Sequence, residues 1–124
     1  MADWDDDSPQ LRQNLARVFD EIADRAERRE LPSLDIIREW HVMLMAGLDV
    51  PDLAHVGNFR GQSGLEGYRV QIGRAEGVAP RQVARESARF EARLLAAIAA
   101  LDNRYPENES LDADGLAAVL DVCA

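Results

Sequence analysis

Residues 55–61 read HVGNFRG, and how this stretch is read decides how the rest of the chain is organised. Two glycines flanking an aromatic and an arginine are too polar, and break the backbone too often, for a buried helix. Working outward, residues 47–80 hold seven of the eight glycines and two of the five prolines. Helical periodicity vanishes over this span. Tyr68-Arg69-Val70-Gln71-Ile72-Gly73 alternates apolar and polar residues, the pattern of a short strand. Arg74 to Ala79 contains Gly77 and is expected to turn the chain back into a small β-hairpin. An isolated hairpin is marginal in water, so this one must lean on helices.

Helices are predicted on both sides. Ser8-Pro9 reads as a cap followed by a first-turn proline. Leu11, Leu15, Val18, Phe19 and Ile22 then recur at spacings of three and four, giving an amphipathic helix to about Glu30. Leu31-Pro32-Ser33 breaks it. Ser33 caps a second helix with Asp35 in its first turn, a stripe of Ile36, Ile37, Trp40, His41 and Leu44, and a stop at Gly47. Pro80 opens a long third helix on which Val83, Ser87, Phe90, Leu94, Ile98, Leu101 and Tyr105 form a near-heptad stripe, the expected centre of packing. A polar turn over 103–110 precedes a fourth helix from about Leu111, with Leu116, Val119, Leu120 and Cys123 on one face. The fold class expected is mainly α: four helices packed around a central one, with a small β-hairpin at its side and an incomplete C-terminal end.

Composition narrows the function classes. The chain has 124 residues, 47% of them hydrophobic, enough for one domain with a core. A net charge of −9 argues against nonspecific nucleic-acid binding and docking on anionic membranes. All 14 cationic residues are arginine, which reads most simply as the codon bias of a GC-rich genome. The single cysteine, Cys123, excludes an intramolecular disulfide framework and a cysteine-built zinc site. Residues 1–7 form an acidic tail, expected to be disordered, where a signal peptide would be basic, so the expected compartment is the cytoplasm.

No motif complete in itself carries a reaction. His41 lies on the apolar stripe of the second helix and reads as a satisfied core or edge histidine. His55 is more available but has no second histidine or cysteine nearby with which to hold a metal. The serines include no G-x-S-x-G. Gly57, Gly61, Gly64 and Gly67 match neither a Walker loop nor a dinucleotide fingerprint. Asp5-Asp6-Asp7 reads as part of the acidic tail rather than a cation site.

The order of these features resembles the N-terminal half of a Fic domain, the fold shared by Fic and Doc proteins. The residues carrying the likeness are Ser33 to Met45 (SLDIIREWHVMLM), Gly57-Asn58-Phe59-Arg60, Val70-Gln71-Ile72-Gly73, and Pro80 with the helix after it. On this resemblance HVGNFRG is the entry to a hairpin called the flap, at about residues 55–79. Tyr68, Arg69, Val70, Gln71 and Ile72 would register an extended segment of a target protein by strand addition. Gly57, Phe59 and Arg60 would be structural, with Arg60 tying the loop to the helical core by a fork of hydrogen bonds to backbone carbonyls.

The family's usual reaction moves AMP from ATP to a target hydroxyl, and ATP and Mg²⁺ are implied for its complete domain. Its catalytic loop, H-P-F-x-x-G-N-G-R, is missing from this chain, so no catalytic residue, metal ligand or cofactor is assigned. Some members carry an inhibitory helix of pattern S/T-x-x-x-E-G/N. Ser8 begins a similar helix, but Arg12 and Gln13 stand at the last two positions. The resemblance implies a partial domain over 8–124, ending on the helix that leads into the catalytic loop and inactive as this chain. Apolar helix faces left uncovered would favour a homo-oligomer. The alternative is a small acidic helical interaction module, such as a toxin-binding partner.

Overall fold

Ser8 and Pro9 start the first helix as their order predicts. In the computed structural model, which describes residues 8–106 and 109–123, the Ser8 hydroxyl accepts the Leu11 N–H at 3.1 Å and helix α1 runs Pro9–Glu27. The acidic tail expected over residues 1–7 lies outside the described residues. α1 stops short of Glu30 because Arg29 takes a left-handed backbone, φ 53°. The Arg29 N–H then bonds the Ala26 carbonyl at 3.0 Å, and the Glu30 N–H bonds that of Arg25 at 3.0 Å. Glycine usually fills that position. Here a side chain holds it, since Arg29 Nη1 donates to Asp102 Oδ1 at 3.1 Å and to the Tyr105 carbonyl at 3.0 Å.

Helix α2 runs Leu34–Leu44, capped by Ser33, whose hydroxyl accepts the Ile36 N–H at 3.2 Å. A second cap comes from across the fold: the Glu91 carboxylate accepts the Leu34 N–H at 2.7 Å. The far end of α2 is bound to α1. Asn14, only 1% exposed, donates its amide to the carbonyls of Leu44 and Ala46 at 2.9 and 2.8 Å and accepts from Gln10 at 2.9 Å. Those carbonyls have no partner within a helix end of their own.

This polar pin turns α1 partly off the predicted stripe: Val18 is buried and Leu11 and Ile22 are half-buried as expected, but Leu15 and Phe19 are not. Asn14 and Val18 face inward, while Leu15 is exposed and Phe19 is 60% exposed. Successive helical residues point about 100° apart, so burying 14 and 18 turns 15 and 19 toward solvent.

The third helix begins as a 3-10 turn, Pro80–Gln82, before helix α3, Val83–Arg104. Helix α4 follows at Ala113–Cys123. The turn between them is locked by Tyr105, which is 7% exposed. Its phenol donates to the Asp112 carboxylate, and the same oxygen accepts the Gly115 N–H at 2.9 Å, capping α4. Gly115 lies under the ring, where a Cβ would come to 3.0 Å from two ring carbons and the hydroxyl oxygen.

The four α-helices among the described residues pack in series, α1 on α2, α2 on α3 and α3 on α4, rather than around one centre. The expected central helix is therefore one of two inner helices. Leu116 and Leu120 of α4 remain exposed, the latter at 69%. Strands β1 (Gln71–Ile72) and β2 (Ala75–Glu76) form an antiparallel pair, with Gln71 opposite Glu76 and Ile72 opposite Ala75. No described helix is long and apolar enough to cross a membrane.

Two outcomes follow from these ties. Asn14→Ala leaves two carbonyls without donors, and urea melts should show a loss of about 1–3 kcal/mol for each that stays dry. The Tyr105–Asp112 bond should make stability pH-dependent in both limbs. The Tyr105 hydrogen bond, followed by the Gly115 N–H, lowers the Asp112 pKa. A lowered carboxylate stabilises the fold above its unfolded value, so this contribution should be lost as acid carries the pH below about 4. The bond to Asp112, and then burial, raises the Tyr105 pKa. That contribution is present below the ordinary phenol value and should be lost as pH rises beyond about 10. Thermal melts of Tyr105→Phe should show both limbs flattened relative to the parent chain.

Candidate docking site

The HVGNFRG loop is held from α2. Arg38 donates through Nε to the Gly57 carbonyl at 2.8 Å and through Nη2 to Asn58 Oδ1 at 3.1 Å. One turn on, His41 Nδ1 accepts the Gly57 N–H at 2.9 Å, which fixes the imidazole with its proton on Nε2. Both backbone groups of the buried Gly57 are thus satisfied by one face of α2. At φ 70°, and with an added Cβ only 2.7 Å from Val42 Cγ2, this position requires glycine. Gly61 is tighter still. A Cβ there would meet the Pro80 carbonyl oxygen at 1.8 Å, so the loop's exit lies directly against the entry to α3.

Arg60 does not form the expected fork, and its acceptors are not on the helical core. Nη1 alone donates to the carbonyls of Tyr68 at 3.3 Å and Val78 at 2.9 Å. These carbonyls belong to opposite arms of the hairpin. Between this bridge and the β1–β2 ladder, the Gly77 N–H bonds the Val70 carbonyl at 2.8 Å. The alternating stretch 68–73 therefore pairs as a strand only at 71–72, and a guanidinium substitutes for a rung at its base. The reversal falls at Gly73-Arg74, not within 74–79. Gly73 at φ 60° opens a two-residue loop, the connection whose twist suits a hairpin.

The five proposed docking residues lie on one arm. The Tyr68 hydroxyl is 2.7 Å from His55 Nε2, with the rings edge-to-face at 4.8 Å. Arg69 pairs with Glu76 at 3.2 Å, and the Gln71 amide donates to the Gly73 carbonyl at 3.1 Å. Val70 is exposed, and Ile72 is 78% exposed at the tip.

Phe59 lies at the hairpin's base, its ring 5.8 Å from the Arg38 guanidinium carbon. It lines a groove of about 410 Å³ with Leu34, Ile37, Val83 and Phe90, beside Arg60, Glu86 and Ser87. A larger cleft of about 790 Å³, between the C-terminal halves of α1 and α3, shares no lining residue with this groove. Trp40 lines that cleft, and its buried indole N–H has no hydrogen-bond partner among the described residues.

Sequence reasoning missed Leu65, a buried residue whose carbonyl accepts the N–H of Gly61 at 2.9 Å and that of Tyr68 at 3.3 Å. A lone leucine among glycines has no periodicity to reveal it. Arg38 was also missed, because nothing local marks one arginine as a clamp. Among the described residues no group of three histidine, cysteine, aspartate or glutamate side chains could hold a metal ion. No family model, curated protein or solved structure matches the chain.

The two hairpin arginines should separate in a melt. Arg60→Ala removes both ties between the arms and should cost about 0.5–1.5 kcal/mol, with faster amide exchange at 71–76. Arg60→Lys should recover part of this, since one nitrogen serves both acceptors. Arg69→Ala breaks only an exposed ion pair, and its midpoint should move little.

Proposed function

We propose that the chain is a Fic-like protein, related to protein adenylyltransferases, whose hairpin docks an extended segment of a protein target. The observation that carries this reading is the exposed hairpin itself. It is raised between α2 and α3, braced by Arg60, clamped at its root by Arg38 and His41, and tipped by a solvent-facing Ile72. A two-pair antiparallel ladder leaves unpaired N–H and C=O groups on its outer edges, which is what an added strand requires. The groove beside Phe59 would receive an apolar side chain of the docked segment.

ATP and Mg²⁺ belong to the reaction of a complete family domain. The sequence has no G-N-G-R stretch to cradle phosphates, and the described residues offer no trio of metal ligands. The residues present do not fit either group, so no transfer step is assigned to them. An H-P-F-x-x-G-N-G-R reading in the nucleotide sequence beyond codon 124 would extend the resemblance to the active site.

Titration of the isotope-labelled chain with extended peptides should shift the amide resonances of Gln71–Glu76 ahead of those on α1 and α4. ATP with Mg²⁺ should show no saturable heat in the micromolar range. Unmoved hairpin resonances across a varied set of peptides would sink the docking role, and tight ATP binding would sink the assignment of an inactive chain.

A further inference from the structure

Two helices carry opposite charge in matching stripes. Arg85, Arg89 and Arg93 recur every fourth residue on α3, and Arg81 continues the spacing into the 3-10 turn. All are exposed. Residues four apart rise about 6 Å and drift about 40°, so the three helical arginines lie within about 12 Å and an arc of about 80°. Among the described residues only Arg89 is in an ion pair, with Glu86 at 3.3 Å. The other carboxylate on this half of α3, Glu91, is turned to the Leu34 N–H.

The solvent face of α1 is the counterpart. Asp20, Asp24 and Glu27 are exposed and span about 10 Å and an arc of about 60°. Arg28 lies close enough to feel Asp24 and Glu27, but its salt bridge is to Glu30 at 3.0 Å. No described ion pair within 4.0 Å uses Asp20, Asp24 or Glu27. Arg17 at the stripe's near end and Arg28 at its far end are the cations beside it. Exposed alanines accompany the charges: Ala23 within the α1 stripe and Ala16 one turn before it, Ala88 and Ala92 between the arginines of α3. Small residues let two helix backbones approach closely.

We propose that these stripes are one interface between copies of this chain, with the acidic face of α1 in one copy seated on the arginine face of α3 in another. Both faces point to solvent in their own molecule, so their charges meet only between molecules. The stripes are opposite in charge, equal in number and similar in length. A nucleic acid or an anionic membrane would answer the arginines alone, and a net charge of −9 repels both.

The test is a charge swap read by sedimentation of the full chain. The parent protein should self-associate reversibly, and more weakly in about 0.5 M salt, where contacts between exposed charges are screened. The triple variant Arg85→Glu, Arg89→Glu, Arg93→Glu and the triple variant Asp20→Arg, Asp24→Arg, Glu27→Arg should each associate at least about tenfold more weakly. An equimolar mixture of the two should associate again, because each then supplies the face the other lost. The second variant also lowers the net negative charge. If overall repulsion governed association, that variant would associate more strongly, and the proposal would fail. It fails equally if the parent chain stays monomeric, if both triples associate as the parent does, or if the mixture stays apart. Circular dichroism melts establish that each triple is folded. If either is not, the single variants Arg89→Glu and Asp24→Arg, alone and mixed, decide the matter by the same pattern.

Discussion

The amide of Asn14 occupies the carbonyl of Leu44, which ends α2, and that of Ala46 just beyond it, and the hold of α2 on the glycine-rich loop rests on that contact. A helix end leaves acceptors that must find donors. Here they find them on α1, thirty residues earlier in sequence, so the two helices are joined by a specific bond as well as by apolar burial. With α2 fixed at that end by Asn14 and at the other by Glu91, its middle turns present Arg38 and His41 in one orientation. Gly57 accepts that orientation because it has no side chain. Few apolar residues are buried alongside this polar pin: Val18, Leu65, Val83 and Tyr105 form the small core of the described residues.

The hairpin depends on the same economy of contacts. Two residue pairs are too short a ladder to hold a strand pair on their own. Three devices below the ladder make up the difference. The Gly77–Val70 bond extends it by one step, Arg60 bridges the arms where no rung forms, and Gly61 lets the loop close against Pro80. Because these devices lie at the base, the tip can stay solvated and apolar at once. Ile72 is paired through its backbone with Ala75 while its side chain faces water.

Much of this was legible in the sequence, and the limits have physical causes. Helix starts were readable because Ser8-Pro9 and Ser33 act within a single turn. The glycine-rich hairpin region was readable because backbone freedom is written into residue type. Helix rotation was not. The apolar stripe of α1 pointed to Leu15 and Phe19, whereas a polar residue, Asn14, holds the inner face by bonds to residues distant in sequence. The turn expected within Arg74 to Ala79 falls at Gly73-Arg74, because Gly73 and Gly77 both satisfy local rules and only the pairing register separates them. The acceptors of Arg60 were not readable, since they depend on how far the ladder extends.

An all-arginine complement first reads as codon usage, but the structure separates positions where the guanidinium has a task from those where any cation would serve. Arg38 reaches two acceptors, a carbonyl and an amide oxygen, with two different nitrogens held at a fixed angle. A lysine ammonium, a single point with three donors, cannot span that pair in the same way. Arg29 and Arg60 each place one nitrogen, Nη1, between two acceptors, a geometry an ammonium could approximate if its shorter stem reached. Arg81, Arg85 and Arg93 contact no acceptor among the described residues of their own chain. At most of these sites any cation would serve, while at residue 38 the joint hold on Gly57 and Asn58 uses the planar fork.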